Sequence, residues 1–144
     1  MRTDNRLSRV LHALLHLEML DRPATSDQIG EMLNTNATVV RRTMGGLRDA
    51  GIVASVKGHG GGWTLARPLD QITLATIYDA LGEPSLFALG QADDAPDCRL
   101  EHAANTALGR ALDRARRTFR QELERVTVAD LRDETGPRPF NMPG

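Results

Sequence analysis

Apolar residues return every three or four positions near the start of the chain, at Leu7, Val10, Leu11, Leu14 and Leu15. That spacing predicts an amphipathic helix with one buried face. Asp4 is placed to cap its start, and Arg22-Pro23 closes it, because a residue before proline avoids the α region. Thr25-Ser26-Asp27-Gln28 has the form of a capping box and opens a short second helix with Ile29, Met32 and Leu33 inside. Asn34 stands where a left-handed residue would end it. Asn36 then caps a third helix running to about Ala50, with Val40, Met44 and Leu47 inward and Thr38, Arg41, Arg42 and Arg48 outward. Two short helices joined by a tight turn form a helix-turn-helix.

After Gly51 the period changes. Residues 52–56 and 63–66 read as strands around Lys57-Gly58-His59-Gly60-Gly61-Gly62, a hairpin in the position of a wing. Arg67-Pro68 closes it, and Thr73 caps a fourth helix carrying Leu74, Ile77 and Leu81, ended by Gly82 and Pro84. Residues from about 84 to 98 read as an acidic loop with Asp93, Asp94 and Asp97. A long helix follows from about Arg99 to Val126, striped by Leu100, Ala104, Leu108, Ala111, Ala115, Phe119, Leu123 and Val126. At 1.5 Å per residue it spans roughly 40 Å, more than a domain of this size covers alone. A second copy of the chain is the expected cover, in a two-fold dimer. Thr127-Val128-Ala129-Asp130 caps a last short helix, and the proline-bearing tail from Gly136 is expected to be disordered.

The expected fold class is therefore mainly α: a winged helix-turn-helix domain over residues 1–82, a sensor loop over 83–98, a long dimerisation helix with a short terminal helix over 99–134, and a tail over 135–144. Composition supports helix packing. Of the 144 residues 40% are hydrophobic but only 3% aromatic, so the core must be aliphatic. The net charge of −1 is unevenly spread: residues 1–68 hold nine basic and six acidic side chains, a net +3. That asymmetry permits a DNA-facing N-terminal half without requiring one. The single cysteine, Cys98, excludes an intrachain disulfide and paired-cysteine zinc fingers. With no membrane-length apolar run and no signal-peptide core, a soluble cytoplasmic protein is expected.

The runs Ile29-Gly30-Glu31, Leu47-Arg48-Asp49-Ala50-Gly51-Ile52-Val53, Gly58-His59-Gly60-Gly61-Gly62-Trp63-Thr64-Leu65-Ala66-Arg67-Pro68 and Ile72-Thr73-Leu74 together resemble the Rrf2 family of transcriptional regulators. That family includes iron–sulfur, nitric-oxide and cysteine-metabolism regulators. The resemblance covers about residues 6–131, and the glycine-rich wing is its most specific part. It implies a homodimer on an inverted repeat, the third helix in the major groove and the wing at the minor groove. Base reading would fall to Thr38, Val39 and Arg42, and wing contacts to Lys57, Gly58 and His59. Arg41 and Arg48 are better placed for phosphates. Two departures stand out: the family's cluster takes three cysteines where this chain has Cys98 alone, and Gly45-Gly46 replaces residues that are commonly basic.

Other chemistries fit less well. A phosphate-cradling loop joins a strand to a helix, whereas Trp63 and a second strand follow these glycines. His12 and His16 have the spacing of two metal ligands on one helix turn, but no third ligand or glutamate motif accompanies them, so no metal or cofactor is expected. No nucleophile–base pair or cofactor motif points to an enzyme. The expectation is a DNA-binding regulator, in the sense of a repressor, with double-stranded DNA and a second copy as partners and a small molecule or oxidant as signal. A winged-helix interaction module that does not read DNA, or a regulator with an atypical metal site, are the alternatives. Cys98 reads either as an inert residue or as a redox sensor at a helix N-terminus, where Arg99 and His102 favour the thiolate and Asp97 and Glu101 oppose it.

Overall fold

Capping decides where most helices begin. Helix α1 (Arg6–Met19) is the exception to the expected pattern, because Asn5 occupies its cap position without a side-chain bond. Asp4 instead accepts from the Arg6 amide at 3.0 Å and holds the Arg6 guanidinium at 2.8 Å. The end of α1 is also corrected, to Met19 rather than Arg22. The cause lies downstream: Ala24 is extended and exchanges backbone hydrogen bonds with Trp63, at 3.0 and 2.7 Å, so the chain has to leave the helix early.

Helix α2 (Ser26–Leu33) has its capping box: the Gln28 amide donates to Thr25 Oγ1 at 3.1 Å, and the Thr25 amide donates to Gln28 Oε1 at 2.9 Å. Asn34 ends it in the left-handed conformation, at φ 53°. Helix α3 (Ala37–Asp49) starts where Asn36 Oδ1 accepts from the Val39 amide at 3.0 Å. The structure, a computed structural model, covers residues 3–135. The tail read as disordered lies outside the described residues from position 136, and Thr135, assigned to it from sequence, is the last residue of α6 (Val128–Thr135).

Strands β1 (Val53–Val56) and β2 (Gly62–Leu65) pair antiparallel, with Val53 opposite Leu65 and Val56 opposite Gly62. The tightness of the wing explains two of its glycines. A Cβ on Gly61 would stand 2.2 Å from the Val56 carbonyl oxygen, and one on Gly62, at φ 149°, would stand 2.4 Å from that of Ala24. Side chains are excluded there because backbone meets backbone.

Helix α4 (Leu74–Ala80), capped by Thr73, and the long helix α5 (Arg99–Glu124) complete the frame. The core is aliphatic, as composition required: Leu14, Ile29, Leu47, Ile52, Ile72, Ile77 and Val128 are fully buried. Burying each such side chain is worth about 1.5–3 kcal/mol. The few aromatics serve as ties. Trp63 Nε1 donates to Ser26 Oγ at 3.0 Å, joining wing to α2, and the Tyr78 hydroxyl donates to the Pro84 carbonyl at 2.7 Å.

Helix α5 differs from its sequence reading in two respects. It stops at Glu124 rather than Val126, because the Val126 carbonyl accepts from the Leu74 amide at 2.9 Å and Thr127 bridges to Thr73. Its buried residue is Leu112, which the expected stripe omitted, whereas Ala111 is exposed and Leu100 is 82% exposed. The C-terminal half is fastened to its own domain by the Tyr78–Phe119 rings, 5.6 Å apart at 80°, and by Arg120 on Asp79 at 2.6 Å. Helix α6 closes the domain, with Thr127 and Asp130 capping each other and Arg132 on Glu18 at 2.6 Å. The N-terminal half of α5 stands clear of this frame.

Candidate nucleic-acid interface

Helix α3 buries Val40, Met44 and Leu47, which leaves Thr38, Arg41 and Arg42 on its opposite side, all exposed. Neither arginine meets an acidic partner among the described residues. Two free guanidinium groups one position apart on an outward helix face form a local cationic ridge. Val39, 41% exposed, is turned aside from them and lines a narrow groove with Arg6, Arg9 and Thr43.

The wing tip is the second element. Lys57, Gly58 and His59 are exposed, and the turn closes with the Gly61 amide on the Gly58 carbonyl at 3.0 Å. Gly58 at φ 91° and Gly60 at φ 76° supply the left-handed positions. Arg48 is placed differently from the other arginines: its guanidinium lies 6.0 Å from the Trp63 ring centroid and 3.7 Å from Asp49. It bridges α3 to the wing, at the outer limit of a cation–π contact. Sequence spacing could not show this, because the two residues are joined only by the register of the hairpin. The same holds for Asp79 and Arg120, 41 positions apart.

The sequence profile of the Rrf2 family, described as iron-dependent transcriptional regulators, matches residues 3–134. The HTH-type transcriptional regulator YwnA of Bacillus subtilis is 30% identical over 129 residues, covering 89% of this chain and 95% of that protein. The chain belongs to the Rrf2 family. It is thus a DNA-binding transcriptional regulator with a winged-helix fold. Among solved structures, a transcriptional regulator from Lactobacillus plantarum superposes with a TM-score of 0.79 at 21% identity, covering 93% of this chain and 91% of that one. The global cysteine regulator CymR of B. subtilis superposes with a TM-score of 0.57 at 22% identity, covering 91% and 95%. At those identities the two structures establish the fold alone.

Within this Rrf2 protein the donor set does not fit the iron dependence that describes the family. Cys98 is the chain's one cysteine, and among the described residues no three His, Cys, Asp or Glu side chains converge as metal ligands. His12 and His16 do meet, Nε2 to Nε2 at 2.8 Å, but as a hydrogen-bonded pair with His16 buried. Burial first, and His12 second, hold His16 below its ordinary pKa, which favours the neutral ring.

The loop that precedes α5 in this Rrf2 chain is less loose than its composition implied. Gln91 Nε2 donates to the Asn105 carbonyl at 2.8 Å, Asn105 Nδ2 to the Ala92 carbonyl at 2.7 Å, and the Ala95 amide to Glu101 at 3.0 Å. The loop is strapped along the free half of α5 and delivers Cys98, fully exposed, to the cap position. The Glu101 amide, then the Leu100 amide, hold the thiol below its ordinary pKa, although neither contact has the geometry of a full capping bond. Backbone amides, rather than the neighbouring charged side chains, decide the sign. No helix of the described residues is long and apolar enough to cross a membrane.

Proposed function

We propose that this regulator acts as a cytoplasmic homodimeric repressor on an inverted-repeat operator, with Cys98 as a thiol switch. The observation that carries this reading is the pair of unpaired, exposed guanidinium groups of Arg41 and Arg42 on the outward face of α3, beside an exposed Lys57–His59 wing tip. In this reading α3 enters the major groove: Arg42 takes a guanine edge, Thr38 and Val39 meet thymine methyls or neighbouring base edges, and Arg41 and Arg48 hold phosphates. Lys57, Gly58 and His59 follow the minor groove. The exposed face of α5 that runs through Ala111 provides the surface between two copies.

The test is fluorescence anisotropy on DNA from upstream of the protein's own coding region, beside a scrambled duplex of equal length. Arg42→Ala is expected to cost about 1–3 kcal/mol on the operator and to relax preference at one base pair, with little change on the scrambled duplex. Equal binding of the parent protein to both duplexes would favour an interaction module that does not read DNA, provided a genome-wide binding selection also returned no preferred site.

Cys98 makes its own prediction. Its alkylation by iodoacetamide should reach half-maximal rate at a lower pH than in the urea-unfolded chain, because the folded thiol's pKa is depressed. With peroxide, the thiolate sulfur attacks one oxygen and the O–O bond breaks, so the sulfur becomes a sulfenic acid while the other oxygen leaves as hydroxide and takes a proton from solvent to give water. Operator binding that changes on peroxide treatment of the parent, and stays constant in Cys98→Ser, supports the switch. Matching pH midpoints for folded and unfolded chains would remove its chemical basis.

A further inference from the structure

The middle of α3 carries two adjacent glycines that the fold does not require. Neither has a positive φ. A methyl group on Gly45 would meet no heavy atom within 4 Å, and one on Gly46 would come no closer than 3.8 Å to the Ala80 carbonyl oxygen. Alanine fits at both positions, and a helix interior is steadier with alanine than with glycine. Packing therefore explains neither residue.

Their directions differ. Gly45 follows Thr38 by seven residues, Arg41 by four and Arg42 by three, so it lies on the same outward face as the cationic ridge. Gly46 is rotated off that face toward α4, as its nearest neighbour, Ala80, shows. An α-helix with its side chains is about 10–12 Å across and a major groove about 12 Å wide, so depth of insertion is set by the side chains on the entering face. A residue with no side chain on that face lets helix backbone and DNA come closer than any other residue would.

We propose that Gly45 is a positioning residue for DNA recognition: its bare backbone lets α3 seat deeply enough for Arg41 and Arg42, one turn earlier, to reach the duplex from either side of it. This rests on the DNA-reading role of α3 proposed above. The free space at Gly45 is room reserved for the nucleic acid, and the helix accepts a less favourable residue to keep it.

The adjacent glycine supplies the control. Gly45→Ala and Gly46→Ala should each raise the Tm of the full chain by about 3–5 °C, since both remove a helix-interior glycine. Gly46→Ala should leave operator affinity within about twofold of the parent, whereas Gly45→Ala should weaken it about tenfold and Gly45→Leu further still. A purely structural role moves stability and affinity together, so opposite signs in Gly45→Ala carry the proposal. Unchanged or tighter operator binding by Gly45→Ala overturns it, as does an equal loss in both alanine variants, which would indict helix stiffness instead of position. If the parent itself does not prefer operator to scrambled duplex and a genome-wide selection returns no preferred site, the DNA-reading role of α3 falls and takes this proposal with it. A parent that does prefer operator, with Gly45→Ala unchanged, overturns the Gly45 assignment alone.

Discussion

In the proposed dimer, Ala111→Arg should part the two copies and weaken operator binding about 100- to 10,000-fold, the range lost when two linked half-site contacts become one. Ala111 is exposed and sits midway along α5, beside Arg110, Arg114 and Ala115 on a shallow surface that ends at Phe119 and Glu122. Near a two-fold axis an added arginine would face its own copy together with the existing arginines, and like charges brought together in a drying interface repel strongly. The monomer fold has no stake in this position, and arginine is nearly as good a helix former as alanine. Circular dichroism should therefore be unchanged while sedimentation velocity reports half the mass. The new cation would by itself increase general attraction to DNA. A fall in affinity thus cannot come from weaker attraction to the phosphates. A dimer that survives the substitution would place the interface elsewhere.

A methyl group in the wing should be nearly as damaging, by a different route. Gly62→Ala sets a Cβ 2.4 Å from the Ala24 carbonyl oxygen and 3.0 Å from the Thr25 amide nitrogen, both backbone atoms without a flexible side chain to yield. The wing has to move away, and the two backbone bonds between Ala24 and Trp63 stretch or break. Strained backbone and weakened hydrogen bonds together should cost about 2–4 kcal/mol in urea unfolding. Gly58→Ala is the comparison. Gly58 also has a positive φ, 91°, but a Cβ there meets nothing within 4 Å, so only the conformational penalty of about 1–2 kcal/mol applies. Equal losses in the two variants would mean that φ, and not the closeness of Ala24, makes Gly62 necessary.

Much of this molecule was legible in its residues, and the reasons differ by element. The Thr25–Gln28 box, Asn34, Asn36 and Thr73 act through bonds two to four residues long, so the local sequence is enough to read them. The wing was legible because a run of glycines between two β-prone stretches has few other uses. What escaped depends on distant pairing. Helix α1 ends early because Ala24 pairs with Trp63, and α5 ends early because residue 126 pairs with Leu74. The stripe on α5 was drawn through Ala111, while its own domain covers the side bearing Leu112, because periodicity locates an apolar face without saying which part of it the same chain will cover. For the candidate interface, exposure of Thr38, Arg41 and Arg42 followed from helical period. The engagement of Arg48 with Trp63 did not, and neither did the backbone amides that favour the Cys98 thiolate.

The fastening of α5 to its own winged domain has a mechanical meaning. The Tyr78–Phe119 contact and the Asp79–Arg120 ion pair lie about nine residues, or ~13 Å, beyond Ala111 along α5. Head and rod therefore turn as one body, like the two arms of a pair of dividers hinged where the rods cross. In the proposed dimer, a change of ~10° at that hinge sweeps a point ~20 Å out through roughly 3.5 Å, close to the rise of one base pair. The span between the two reading heads is thus set at the hinge, and a small chemical change at the Cys98 end need alter only the angle between the rods for the heads to fall out of step with their half-sites.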